Sequence, residues 1–272
     1  MQVVFVHGIR TSATMWRAQV EHLEARGIGA HAIDLPAHGT RMGETFDINE
    51  AFATIDRTVH RAAEDGPVLL VGHSMGGLLC TEYVGGLEHP PVAAFIGAGC
   101  TALPRTAGLS AYRALAGSFN RLPDRGMWLT NKVLDRTLPA DTRLDFGAGG
   151  YALDAQDATL RSLSILDLLT ALRRIEVPVW FINGQYDQMR LNERLFLRLK
   201  PEAELVVVPR TSHLVTAMRP RVFNALLDLA IATIEAGGTD AAGETNADDV
   251  DGADAVTDTD AGGRRARRVP RR

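Results

Sequence analysis

The chain has 272 residues, 46% of them hydrophobic and 23% charged, and a net charge of −4. That balance excludes collagen-like and wholly disordered chains. Without a basic excess to neutralise phosphates, a nucleic-acid partner is not expected. An α/β chain of this length buries enough apolar surface to fold without disulfides or a structural metal.

Met1 leads directly into the apolar strand Val3–Val6, with no basic segment or cleavage site, so no signal peptide is expected. No apolar run reaches the roughly 18 residues of a spanning helix. A membrane span is therefore not expected, and the expected compartment is the cytoplasm. After the loop His7-Gly8-Ile9-Arg10, Trp16, Val20 and Leu23 recur at helical spacing and Gly27 supplies a stop. A second strand is read at Ala30–Ile33, followed by Asp34-Leu35-Pro36-Ala37-His38-Gly39. Asp47 and Glu50 resemble a capping box, ahead of an apolar face at Ile48, Ala51, Phe52, Ile55 and Val59. Further strands are read at Val68–Val71, Val92–Ile96, Val177–Ile182 and Glu204–Val208. Leu191, Leu195 and Leu199 predict one helix, and a last one begins near Pro220. Strands alternating with helices imply a mostly parallel sheet covered on both faces.

About 80 residues separate the fourth and fifth strands, with helical patterns around Leu160, Leu168 and Leu172. An insertion of this length at a strand's carboxyl end predicts a helical cap. The expected organisation is a core at 1–100 and 173–236, a cap at 101–172, and a disordered tail at 237–272. The tail carries eight acidic residues and then six arginines, with no aromatic residue. It lacks the apolar surface to offset its ordering entropy. The two cysteines, Cys80 and Cys100, sit in apolar surroundings and read as inert buried thiols. No Cys/His set has zinc spacing, so no metal or cofactor is expected.

The sharpest motif is Gly72-His73-Ser74-Met75-Gly76-Gly77, which follows an apolar strand and precedes a helical pattern. A G-x-S-x-G sequence in that context predicts a tight turn that lifts Ser74 above the sheet. A serine hydroxyl needs a base. Of eight histidines, His213 lies just past the last strand, and loops after parallel strands gather at one sheet edge. His22, His31, His38, His60 and His89 read as solvated or packing residues, and His7 as loop support. Asp187, just past the fifth strand, is placed to orient His213, giving the chain order Ser, Asp, His. Asp154, Asp157 and Asp167 belong to the inserted segment and read as solvated helix faces. The backbone amides of Met75 and Ile9 are the expected oxyanion donors.

On His7-Gly8, the Asp34–Gly39 stretch, the Ser74 motif, Gly184 to Asp187 and His213, residues 1 to about 236 resemble an α/β-hydrolase. The resemblance implies the α/β-hydrolase fold with a helical cap inserted after the fourth strand. A sheet that opens at the His-Gly strand is similar to the six-stranded branch of plant-type esterases and hydroxynitrile lyases. In the lyases a threonine stands at the position of Gly8 and a lysine follows the catalytic histidine, whereas here Leu214 does. The resemblance therefore implies an esterase, and Ser74 excludes the relatives with an aspartate nucleophile. The expected activity is cleavage of a small apolar carboxylic ester by Ser74, His213 and Asp187. Lactonase, thioesterase and carbon–carbon bond hydrolase are alternatives with the same triad, and a ligand-binding receptor is one of another class. Large apolar residues of the cap, Met127 and Trp128 among them, are expected to line the substrate pocket.

Overall fold

Strand-forming runs of Val, Ile, Leu and Phe build a single sheet in the computed structural model, which describes residues 1–105, 118 and 121–245, with side chains as far as 236. The strands are β1 Gln2–Val6, β2 Gly29–Ile33, β3 Val68–His73, β4 Ala94–Ala98, β5 Val179–Gly184 and β6 Glu204–Val208. Their order is β2-β1-β3-β4-β5-β6, and every neighbouring pair is parallel. β4 and β5 begin two residues later than the apolar runs suggest. The Val92 N–H turns back to the Pro90 carbonyl at 2.7 Å instead of joining the ladder, and Pro178, just before β5, has no N–H to donate. Because side chains alternate with a period of two, this slip keeps every residue on its expected face.

That alternation feeds two apolar layers. Val4, Val6, Leu70, Phe95 and Phe181 point to one face, where they meet α2 (Ile48–Ala63), α3 (Met75–Gly86) and Phe196. Val3, Phe5, Leu69, Val71, Ile96 and Ile182 point to the other, against Trp16, Leu23 of α1 (Arg17–Glu24), Phe223 and Leu227. The Asp47 carboxylate accepts the Glu50 N–H at 2.9 Å, the expected cap of α2.

The inserted segment is helical where it is described: α4 Met127–Thr137, α5 Ala140–Ala148, α6 Gln156–Leu163 and α7 Leu168–Arg174. Leu168 and Leu172 of α7 belong to the same apolar layer as α3. A Cβ at Gly85 would lie 2.2 Å from the Ala171 carbonyl oxygen, so α7 packs backbone to backbone on α3. On the other face, Thr142 Oγ1 donates to the Ala217 carbonyl at 2.8 Å, and Thr14 Oγ1 donates to that of Asp145 at 2.7 Å. The insertion is thus tied into one compact body, Met1–Ile234.

After β5 come α8 (Glu193–Leu199) and, beyond β6, α9 (Val215–Met218) and α10 (Pro220–Thr245). The helical backbone of α10 runs past Gly237, where the sequence predicts the tail to begin. Extending an existing helix avoids the nucleation penalty, so alanines such as Ala241 and Ala242 follow at little cost. Expectations for 246–272 lie outside the described residues. None of the described helices is long and apolar enough to cross a membrane.

Candidate active site

β3 ends at His73 and α3 begins at Met75, leaving a single residue, Ser74, to reverse the chain. Ser74 adopts φ 53° and ψ −115°, which a side-chain-bearing residue holds only at a cost of about 1–3 kcal/mol. Glycines make the turn possible. A Cβ at Gly76 would lie 2.4 Å from the Val6 carbonyl oxygen, and one at Gly72 would lie 2.6 Å from the Gly76 backbone.

Parallel strands bring the loops after β5 and β6 to the same edge. His213 Nε2 lies 2.9 Å from Ser74 Oγ, and His213 Nδ1 lies 3.0 and 3.2 Å from the two Asp187 carboxylate oxygens. An acceptor-only carboxylate fixes the tautomer: Nδ1 donates to Asp187 and Nε2 accepts from the serine hydroxyl. The Asp187 carboxylate is inaccessible to solvent. Burial alone would raise its pKa. The hydrogen bond and charge of His213, with the Met189 N–H at 2.7 Å, outweigh this and hold it below the usual carboxylate value. Asp154 and Asp157, by contrast, pair with Arg125 and Arg161 on exposed surface.

The loop after β1 is pinned on both sides of Ile9. The Gly8 carbonyl accepts from His7 Nδ1 at 2.8 Å and from Thr11 Oγ1 at 2.9 Å. The Arg10 N–H is accepted by His38 Nε2 at 3.3 Å, while His38 Nδ1 donates to the Pro36 carbonyl at 2.9 Å. His7 Nε2 in turn accepts the Leu35 N–H at 3.1 Å. Among the described residues neither the Ile9 nor the Met75 N–H has a hydrogen-bond partner. Both residues line, with Ser74, a mainly apolar cavity of about 250 Å³. Burial, then the charge of His38, pushes His7 down to about 3, and burial lowers His38 as well. Both imidazoles are therefore neutral supports of the loop.

His38 is thus more than a packing residue, and His73 carries a role that the motif alone does not reveal. Its Nε2 donates to the His213 carbonyl at 2.9 Å, tying the serine turn to the histidine loop. Burial and then the neighbouring His213 push its pKa down to about 3. Among the histidines read as solvated or packing, His22 pairs with Asp228 and His31 with Gln2. Cys80 and Cys100 are buried, and burial raises both thiols above their ordinary value. Among the described residues, no three His, Cys, Asp or Glu side chains converge as a metal would require.

The cap reading needs correcting for both residues expected in the pocket, since neither Met127 nor Trp128 is among the residues lining the two cavities beside Ser74. Trp128 does not line the pocket: it is 65% exposed, with the Lys132 ammonium 5.1 Å from its ring. Residues of α4 at spacings of three and seven share a face, and Met127, Thr130 and Leu134 take the inner one. Thr130 and Leu134 line a second cavity beside Ser74, and Met127 Sδ meets Arg10 Nη2 at 3.4 Å. Trp128, one residue on, is turned outward. Phe146 and Tyr151 also line the second cavity.

A profile described as the alpha/beta hydrolase family matches residues 3–226. The chain is 38% identical over 78 residues to "Probable esterase PIR7A" of Oryza sativa subsp. indica, a stretch covering 28% of this chain and 30% of that protein. It spans about a third of the length of the curated relatives it matches. Among solved structures, it is similar to a carboxylesterase of the thaumarchaeon Nitrososphaera gargenis, with TM-score 0.69 and 17% identity over 87% of this chain and 91% of that one. E-2-(acetamidomethylene)succinate hydrolase is comparably similar, with TM-score 0.68 and 22% identity over 85% and 91%. With its all-parallel sheet, its serine turn after the third strand and a profile match over most of its length, the chain belongs to the alpha/beta hydrolase family.

Proposed function

We propose that the protein is a serine hydrolase that cleaves a carboxylic ester with an apolar acyl group. The reading is carried by one observation: the continuous hydrogen-bonded chain from Ser74 Oγ through His213 to buried Asp187. Its members have the polarity that acyl transfer needs. His213 Nε2 takes the Ser74 proton as Oγ bonds to the acyl carbon, and Asp187 stabilises the imidazolium that forms. The Ile9 and Met75 amides donate to the oxyanion, each for about 3–4 kcal/mol of transition-state stabilisation. His213 then gives its proton to the leaving alcohol, and the acyl-enzyme forms. Water, deprotonated by His213, releases the acid and restores the serine. The mainly apolar cavity beside Ser74 and the likeness to a rice protein named as an esterase both support an ester substrate.

The test is covalent labelling by a small fluorophosphonate, mapped by peptide mass, with turnover on a panel of esters, lactones and thioesters. Labelling at Ser74 with fastest turnover on apolar acyl esters is expected. No labelling, or labelling without ester turnover, would overturn the reading.

A further inference from the structure

The segment 185–192, between β5 and α8, carries the orienting carboxylate of Asp187. Two backbone bonds hold it on the side of His213: the Gln185 N–H donates to the Val208 carbonyl at 3.0 Å and the Tyr186 N–H to that of Thr211 at 2.9 Å. On the opposite side a set of polar contacts converges on one side chain, Glu193. Building on the ester reading above, we infer that Glu193 is a positioning residue: its carboxylate closes this loop into a ring and so fixes the Asp187 carboxylate against His213.

Two arms of hydrogen bonds make the ring. In the first, Glu193 Oε1 accepts from Arg190 Nε and Oε2 accepts from Arg190 Nη2 at 3.0 Å, while Arg190 Nη1 donates to the Gln185 carbonyl at 2.8 Å. In the second, Glu193 Oε1 accepts from Asn183 Nδ2 at 2.8 Å, and the other Nδ2 hydrogen goes to Thr101 Oγ1 at 2.8 Å. The Thr101 hydroxyl keeps its own hydrogen to give, and donates it to the Met189 carbonyl at 3.2 Å. Met189 is also the residue whose N–H holds Asp187 Oδ1 at 2.7 Å. The two arms thus grip the backbone on either side of Asp187, at Gln185 and at Met189.

Burial explains why the link is charged and paired. Asn183 and Thr101 are fully buried, and the Glu193 side chain is 14% exposed. Polar groups in such a place are stable only when each is met, so every contact of the ring depends on the others. Charge-assisted, two-pronged contacts such as that of Arg190 with Glu193 are directional and restrict a loop more than neutral ones do. Asp187 needs that restriction, because its carboxylate must face His213 Nδ1 for Nε2 to accept the Ser74 proton, and a misplacement of about 1 Å costs up to about 100-fold in rate. Among the described residues the Glu193 carboxylate bonds only to Arg190 and Asn183, and it lines neither cavity beside Ser74. Its influence on the reaction therefore passes through Asp187.

A double-mutant cycle on the full chain separates positioning from mere support of the fold. Fluorophosphonate labelling and ester turnover of the parent are read first, and their absence overturns the ester reading itself. Glu193→Gln keeps an acceptor for Asn183 and loses the ion pair with Arg190, and should lower kcat on p-nitrophenyl butyrate about tenfold, within the range a small misplacement costs. Arg190→Gln removes the same ion pair from its more exposed end, should give a loss of the same order, and replaces the first variant if that one folds poorly. In an Asp187→Asn background each substitution should cost less than about twofold, because a residue that acts through the carboxylate then has nothing left to position. The second readout is the downfield proton resonance of His213 Nδ1–H, identified by its loss in His213→Ala, which should move upfield or exchange away in both single variants. An unchanged kcat in both single variants, an equal loss with and without the Asp187 carboxylate, or a resonance left in place would overturn the inference and leave the ester reading standing.

Discussion

Mild acid should destabilise this protein through histidines that take no part in proton transfer. His7 and His73 are fully buried, and burial holds each near a pKa of about 3 against an ordinary 6.5. As pH falls through 6.5 the unfolded chain takes up a proton at each position and the folded chain does not. The unfolded state then binds more protons, so stability falls with falling pH, from its full value above 6.5 until the folded groups titrate near 3. Between about pH 7.5 and about pH 5.5 each histidine accounts for about 1.4 kcal/mol, and the pair for about 3 kcal/mol. His38, also lowered by burial, acts in the same direction. Asp187 and Asp34 are held below the usual carboxylate range, so their contributions are lost only in stronger acid and stay outside this window. The assay is urea unfolding at both pH values, read as the change in midpoint at constant slope. His7→Gln and His73→Gln, compared each with itself at the two pH values, should shrink the fall by about 1.4 kcal/mol each. Equal stability at pH 7.5 and 5.5, or a fall that neither variant reduces, would refute the reasoning.

Ser74→Ala and His213→Ala should each lower kcat on the order of 10⁴-fold or more with the fold intact, because such groups act as a unit. Asp187→Asn should be severe too, and near-full activity in that variant would show that the orienting carboxylate lies elsewhere. Gly76→Ala should cost several kcal/mol or abolish expression, since its Cβ would sit 2.4 Å from the Val6 carbonyl oxygen, and an unchanged melting temperature would contradict the turn geometry. His38→Leu removes the acceptor of the Arg10 N–H and should reduce kcat more than it raises KM, whereas His38→Gln, which keeps an acceptor, should recover part of the loss. Trp128→Ala should leave both the ranking of ester substrates and kcat/KM unchanged, as its exposed ring lies outside both cavities.

The sequence by itself determined the features that local rules govern. The apolar runs locate all six strands, even where two of them begin two residues late, because a run of β-branched residues marks a strand without fixing its ends, whereas the order of the strands in the sheet comes from the structure alone. The serine turn is legible at Gly72 to Gly77, since its constraint is steric and confined to a few adjacent residues. His213 and Asp187 are legible for a different reason: parallel strands deliver every following loop to one edge, so chain order alone brings them toward Ser74. The tertiary structure decided what depends on partners far along the chain. His38 supports the Ile9 loop through Arg10, 28 residues away, and His73 holds His213 from 140 residues away. Met127 and Trp128 have equal claims to a pocket by composition, yet the rotation of α4 sets Met127 against Arg10 and Trp128 to solvent, and neither lines a cavity at Ser74. The space around Ser74 is of the same kind, because a cavity is bounded by side chains from several loops at once. Propensity and periodicity act between neighbours in sequence, whereas a hydrogen bond or a cavity wall acts between neighbours in space, and only folding makes those neighbours.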